Sequence, residues 1–135
     1  MIRIMTSPEL IAAARNVVGE YKLSEDHCSA GSVGAALVTR SGKVFTGICI
    51  DLACGIGFCA EHAAIAEMLK NRETEIEMIV AVNEEKVLFP CGRCREMMCQ
   101  VNGNNRKTKV IIAHDRIVTL DELLPYRELL SSSEK

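Results

Sequence analysis

A mixed sheet between two helical layers, a three-layer α/β/α domain, is the architecture this sequence predicts, and three observations carry that reading. Two apolar runs, Val33-Gly34-Ala35-Ala36-Leu37-Val38 and Val44-Phe45-Thr46-Gly47-Ile48, flank the turn Arg40-Ser41-Gly42-Lys43 and read as an antiparallel hairpin. Farther along, the short apolar runs Ile79–Val82 and Val110–Ala113 alternate with helical patterns, which is how a sheet acquires covering helices. A chain of 135 residues can bury one sizeable core, so residues 1–130 are expected to form a single domain, with Ser131–Lys135 as a frayed tail.

The elements follow in order. From Ser7 to about Glu20, apolar residues at Leu10, Ile11, Ala14, Val17 and Val18 recur at helical spacing, with Ser7 as N-cap and Pro8 just inside the start. Lys22 to Ser32 is polar and irregular, the hairpin comes next, and Asp51 to Gly57 is a glycine-bearing loop. Ala60 to about Lys70 is rich in helix formers and presents Ala64, Ile65 and Met68 on one face. After the strand at Ile79–Val82, residues 84–90 form a loop, Gly92 to about Val101 a second such helix, and Val110–Ala113 another buried strand. A short segment at Ile117-Val118 and a helix from about Leu120 to Leu130 complete the chain.

Composition narrows the function. A formal net charge of −2 and no long basic run leave no footprint for a polyanion, so nucleic acid is not an expected partner. The amino terminus lacks the pattern of a secretory signal, and no apolar run approaches the ~18 residues of a membrane span, so a cytoplasmic protein without membrane contact is expected. Seven cysteines in such a chain read as reduced thiols, some of them metal ligands.

Spacing selects among them. Cys91-Gly92-Arg93-Cys94 opens a predicted helix, where free backbone N–H groups stabilise thiolate charge. Taken alone the pair also fits a redox dithiol or small buried residues. Cys59, at the start of the preceding helix, supplies a third ligand if the two helix starts lie side by side, leaving a fourth position open as a catalytic zinc requires. Three thiolates on Zn²⁺ carry a net −1, which calls for a nearby cation; Arg93 and His62 are the candidates to donate to the sulfurs, with Arg93 preferred because its charge is independent of pH. Glu61 stands two residues beyond Cys59, within reach of a water at the metal. Cys28, Cys49, Cys54 and Cys99 are expected to be free thiols, and His27 and His114 surface or loop residues.

With Cys59-Ala60-Glu61 and Pro90-Cys91-Gly92-Arg93-Cys94-Arg95 in view, the chain resembles the cytidine deaminase superfamily, in particular the small cytidine deaminases and blasticidin S deaminase. Supporting similarity runs from Val33–Leu37 through Ser41–Gly47 to Glu122-Leu123-Leu124-Pro125. The resemblance implies the cytidine deaminase-like fold, zinc held by Cys59, Cys91 and Cys94, Glu61 as proton shuttle, release of ammonia from an aminated pyrimidine nucleoside or analogue, and a homotetramer, with a dimer second. It also implies that Tyr126 closes the pocket from the carboxyl end; packing of the last helix is the other reading.

The pattern departs where such enzymes hold the substrate. Cys49-Ile50-Asp51 stands where the family carries Asn-x-Glu for the ribose, and Gly31 where it carries a Phe that stacks on the base. Asp51 can still accept from a sugar hydroxyl, whereas Cys49 bonds weakly. Phe58 or Phe89 can offer a ring face instead, or serve the core. Two other functions remain open from the sequence: a zinc-stabilised module without turnover, and a deaminase for a heterocycle other than cytosine.

Overall fold

The structure is a computed structural model that describes residues 5–127. Helix α1 spans Ser7–Arg15, and its cap is Thr6 rather than Ser7: Thr6 Oγ1 accepts from the Glu9 N–H while the Glu9 carboxylate accepts from the Thr6 N–H, a reciprocal capping box. The helix ends well before the expected Glu20, since Val17, Val18 and Gly19 leave it to reach the sheet edge, where the Gly19 N–H donates to the Gly31 carbonyl.

Strands β1 (Tyr21–Lys22), β2 (Ser29–Thr39), β3 (Val44–Asp51), β4 (Ile76–Val82), β5 (Val87–Leu88), β6 (Lys109–Ala113) and β7 (Arg116–Thr119) form one mixed sheet. Strand β2 pairs antiparallel with both β3 and β4, β4 pairs parallel with β6, and β7 returns antiparallel on β6. Because β2 reverses direction between them, β3 and β4 point the same way, which brings the chain segments that follow them to one end of the sheet. The short strands β1 and β5 sit inside stretches expected to be irregular; each pairs at only two positions.

Alternation along the strands sorts side chains into two cores. One face carries Ala36, Val38, Met78, Val80 and Ile111 against Leu10, Ile11 and Ala14 of α1. The opposite face carries Leu37, Ile79 and Val110 against Ala64, Ile65 and Met68 of α2 (Ala60–Lys70) and Met98 and Cys99 of α3 (Gly92–Val101). The expected three layers are therefore present. Helix α2 lies unusually near β3: a Cβ at Gly47 would stand 2.5 Å from the Ala64 nitrogen and 2.7 Å from the Ala60 carbonyl oxygen, so only glycine lets the helix start settle there.

The last helix is the main departure from expectation. Helix α4 covers only Leu120–Leu123, capped by Thr119, because Leu124 precedes Pro125 and is pushed out of helical geometry to φ −142, ψ 64. Residues 124–127 are not helical, and the end of the expected helix, residues 128–130, and the expected tail lie outside the described residues. Among the described residues no helix is long and apolar enough to cross a membrane.

Candidate metal centre and active site

Two helix starts build the site. Cys59 is the N-cap of α2 and Cys91 the N-cap of α3, both with extended backbone, and Cys94 lies within the first turn of α3. Neither cap residue uses its sulfur to cap its own helix by hydrogen bonding, so the sulfurs are free to face each other. Sγ of Cys91 lies 3.4 Å from Sγ of Cys59 and 3.4 Å from Sγ of Cys94, and all three sulfurs fall within 4.8 Å of one another. Tetrahedral zinc with Zn–S bonds of about 2.3 Å places its sulfurs about 3.8 Å apart. The spacing and the all-thiolate donor set fit that ion.

Without an ion the thiols compete for protons. Burial, reinforced by the hydrogen bond to Cys91, pushes Cys59 up to about 11. Burial and the neighbouring Glu61 carboxyl raise Cys94 far above the ordinary thiol range. Burial would raise Cys91 as well, but the Cys94 N–H, both neighbouring sulfurs and the Arg93 N–H outweigh it and draw its pKa down. Backbone amides of the first turn of α3 therefore favour one thiolate, as expected at a helix N-terminus. A divalent cation would favour the thiolate at all three sulfurs by displacing their protons.

Glu61, in the first turn of α2, is 4% exposed. Burial raises its carboxyl pKa, opposed by its own backbone N–H and by the Cys94 thiol. It lines a cleft of about 390 Å³ together with Cys59, Cys91, Arg93, Asp51 and Phe58. Cys49 lines the cleft too, yet its sulfur is already committed: the Val33 N–H lies 3.3 Å from it and the Ser32 hydroxyl 3.2 Å. Ser32 is a wall residue that sequence reasoning missed, because it lies in the first half of β2, inside a stretch read as irregular.

The expected cationic partners behave differently. The Arg93 side chain is exposed at the cleft, and its backbone N–H is among the groups that draw the Cys91 pKa down. His62 turns its ring toward Phe58, at a centroid distance of 6.5 Å, and its buried Nε2 has no hydrogen-bond partner; it does not line the cleft. Burial, then the Arg93 charge, lowers its pKa.

Tyr126 is also corrected. It does not line the cleft; it stands fully exposed at φ 60, one residue past the proline that ends α4. Gly31 explains the missing aromatic. At φ 87, a Cβ there would lie 2.4 Å from the Gly19 carbonyl oxygen, so no side chain fits.

A mixed α/β sheet that presents three converging thiols and a buried carboxylate at two helix starts defines a metal-dependent hydrolase site. The family described as "Cytidine and deoxycytidylate deaminase zinc-binding region" matches residues 9–112. A cytidine deaminase of Mycobacterium tuberculosis is 31% identical over 97 residues, covering 70% of each chain, and the blasticidin-S deaminase of Bacillus cereus is 29% identical over 115 residues, covering 70% of this chain and 75% of its own. The crystal structure of a cytidine deaminase from Burkholderia pseudomallei superposes with a TM-score of 0.74 at 30% identity, over 92% of this chain and 100% of that one. The chain belongs to the cytidine and deoxycytidylate deaminase family, whose zinc-binding region it carries, and is a zinc-dependent hydrolase acting on C–N bonds.

Proposed function

We propose that the chain removes the exocyclic amine of a free pyrimidine nucleoside, or of a nucleoside analogue of the cytidine or blasticidin S type, giving the keto product and ammonia. The observation that carries this reading is the buried Glu61 carboxyl on a cleft wall beside three sulfurs. A purely structural zinc site has no use for it.

Cys59, Cys91 and Cys94 would hold the zinc, which when bound supplies the Lewis acidity that lets water act as a nucleophile at neutral pH. The water oxygen forms the new C–O bond at the amidine carbon and the C–N bond to the amine breaks. Glu61 takes one water proton and hands it to the ring nitrogen beside that carbon; it takes the second and gives it to the leaving amine, which departs as ammonia. The carboxylate ends the cycle as it began, and all protons are accounted for.

Substrate holding is proposed as follows. Asp51 accepts a hydroxyl at the outer end of the cleft, and Phe58 lends a ring edge to the base. Cys49 shapes the wall from within its contacts to Val33 and Ser32. Arg93 offsets the negative charge of a three-thiolate zinc through its field and its backbone N–H. The large exposed apolar side chains Ile56, Phe89 and Tyr126 support a homotetramer, or failing that a dimer, and seven cysteines outside any disulfide support a reducing, cytoplasmic location.

An ammonia-release panel over aminopyrimidine nucleosides, aminopurines and blasticidin-like nucleosides, with Glu61→Gln as control, tests the reading. Turnover of at least one pyrimidine by the wild type and none by the variant is expected. Tightly held zinc without ammonia from any substrate would instead make the protein a zinc-stabilised module, and reaction confined to another ring would move the substrate class.

A further inference from the structure

We propose that Arg95 is a positioning residue for the metal centre, clamping the backbone next to Cys91 so that its sulfur meets the other two. The inference rests on the three-sulfur metal reading. Of those sulfurs, that of Cys94 belongs to a residue buried within α3 and that of Cys59 to the helix start packed against Gly47. Cys91 is exposed at the N-cap of α3, on a chain that arrives from the largely exposed Phe89 through the buried Pro90. Something must hold that approach.

Pro90 has no N–H, so its carbonyl is its only polar handle. Arg95 takes it. Its Nε donates to the Pro90 carbonyl at 2.9 Å, and its Nη1 donates to the Leu123 carbonyl, also at 2.9 Å, tying the approach to Cys91 to the end of α4. The helix itself gives no reason for this side chain: the first turn of α3 holds no acidic residue, and a cation there opposes the helix dipole. A planar donor fork reaching two carbonyls does supply a reason.

A second tie provides the internal control. Arg127 donates to both carboxylate oxygens of Glu96, at 2.6 and 3.3 Å, joining the same C-terminal turn to α3 without touching the approach to Cys91. Breaking it loosens the turn and leaves the Pro90 carbonyl held.

The test compares Arg95→Ala, Arg95→Lys and Glu96→Gln as zinc-loaded full-length protein. Zinc affinity is read by chelator competition, thiolate ligation by the charge-transfer band of the cobalt-substituted forms, and stability by the unfolding midpoint of the metal-free forms. Arg95→Ala should weaken zinc about 10–100-fold and diminish the thiolate band. Arg95→Lys, which can reach one carbonyl but not both, should recover part of each, while Glu96→Gln lowers the midpoint and leaves zinc affinity at the wild-type value. Unchanged zinc affinity in Arg95→Ala, or equal weakening in Glu96→Gln, overturns the proposal. If Arg95→Ala does not fold, zinc held less tightly by Arg95→Lys than by Glu96→Gln supports it and equal affinity overturns it. A wild type that binds no zinc would overturn the metal reading as well, which distinguishes that failure from failure of Arg95 alone.

Discussion

Two polar clusters sit at opposite ends of β4, and they are built on opposite principles. At the start of the strand, Asn105 is 1% exposed and its bonding is full: Nδ2 donates to the carbonyls of Thr74 and Met98, and Oδ1 accepts from the Ile76 N–H. Thr108 completes it by donating to the Ile76 carbonyl at 2.8 Å. At the far end, beside Ala81, three thiols share hydrogen bonds among themselves, a carboxyl is buried facing a cleft, and His62 Nε2 has no partner. A saturated cluster fixes a fold and does no chemistry. A cluster with bonding capacity in reserve costs stability and can bind a metal and move protons.

Substitutions at the two ends should separate activity from stability. The largest effect is expected from Cys94→Ala, which leaves too few sulfurs for the ion: zinc content should fall to background and ammonia release with it. Glu61→Gln should lower turnover by about 10²–10⁴-fold while zinc content, measured by metal analysis, stays at the wild-type level. Retained turnover in Glu61→Gln would break the comparison at its active end.

At the other end, Asn105→Ala should cost about 2–4 kcal/mol in denaturant unfolding, since it strands the Ile76 N–H and two carbonyls in the core, with kcat of the zinc-loaded protein unchanged. Gly31→Ala should be milder, about 1–2 kcal/mol, because the added Cβ meets the Gly19 carbonyl in a backbone conformation that side chains rarely adopt. The smallest effect is electrostatic and lies outside both clusters. The Ser41 hydroxyl at 2.6 Å, then Thr39 and Lys43, hold the Glu73 carboxyl below its ordinary value. Its contribution is therefore present above the unfolded-state pKa and lost as pH falls through the lowered one. The stability difference between wild type and Glu73→Gln should shrink on acidification, as followed by unfolding midpoints across a pH series.

The sequence made the active end far more legible than the saturated one, for a physical reason. Metal ligands must sit at fixed spacings on helix starts, so Cys59, Cys91 and Cys94 announce themselves, and α2 and α3 lie where their periodicity places them. Asn105 gives no such signal, since its partners are backbone groups 29 and 31 residues away in the chain and on α3. The strands β1 and β5 are too short for alternation to register, and Pro125 overrode the helical pattern after Leu123. Tyr126 was placed by residue type, but past Pro125 it stands fully exposed and off the cleft wall.

X-ray absorption at the zinc edge of the purified protein tests the central claim most directly. Three sulfurs at about 2.3 Å and one lighter oxygen or nitrogen neighbour, with the sulfur count falling in Cys91→Ser, is the expected result. Four sulfurs around the metal, or no bound zinc at all, would contradict it.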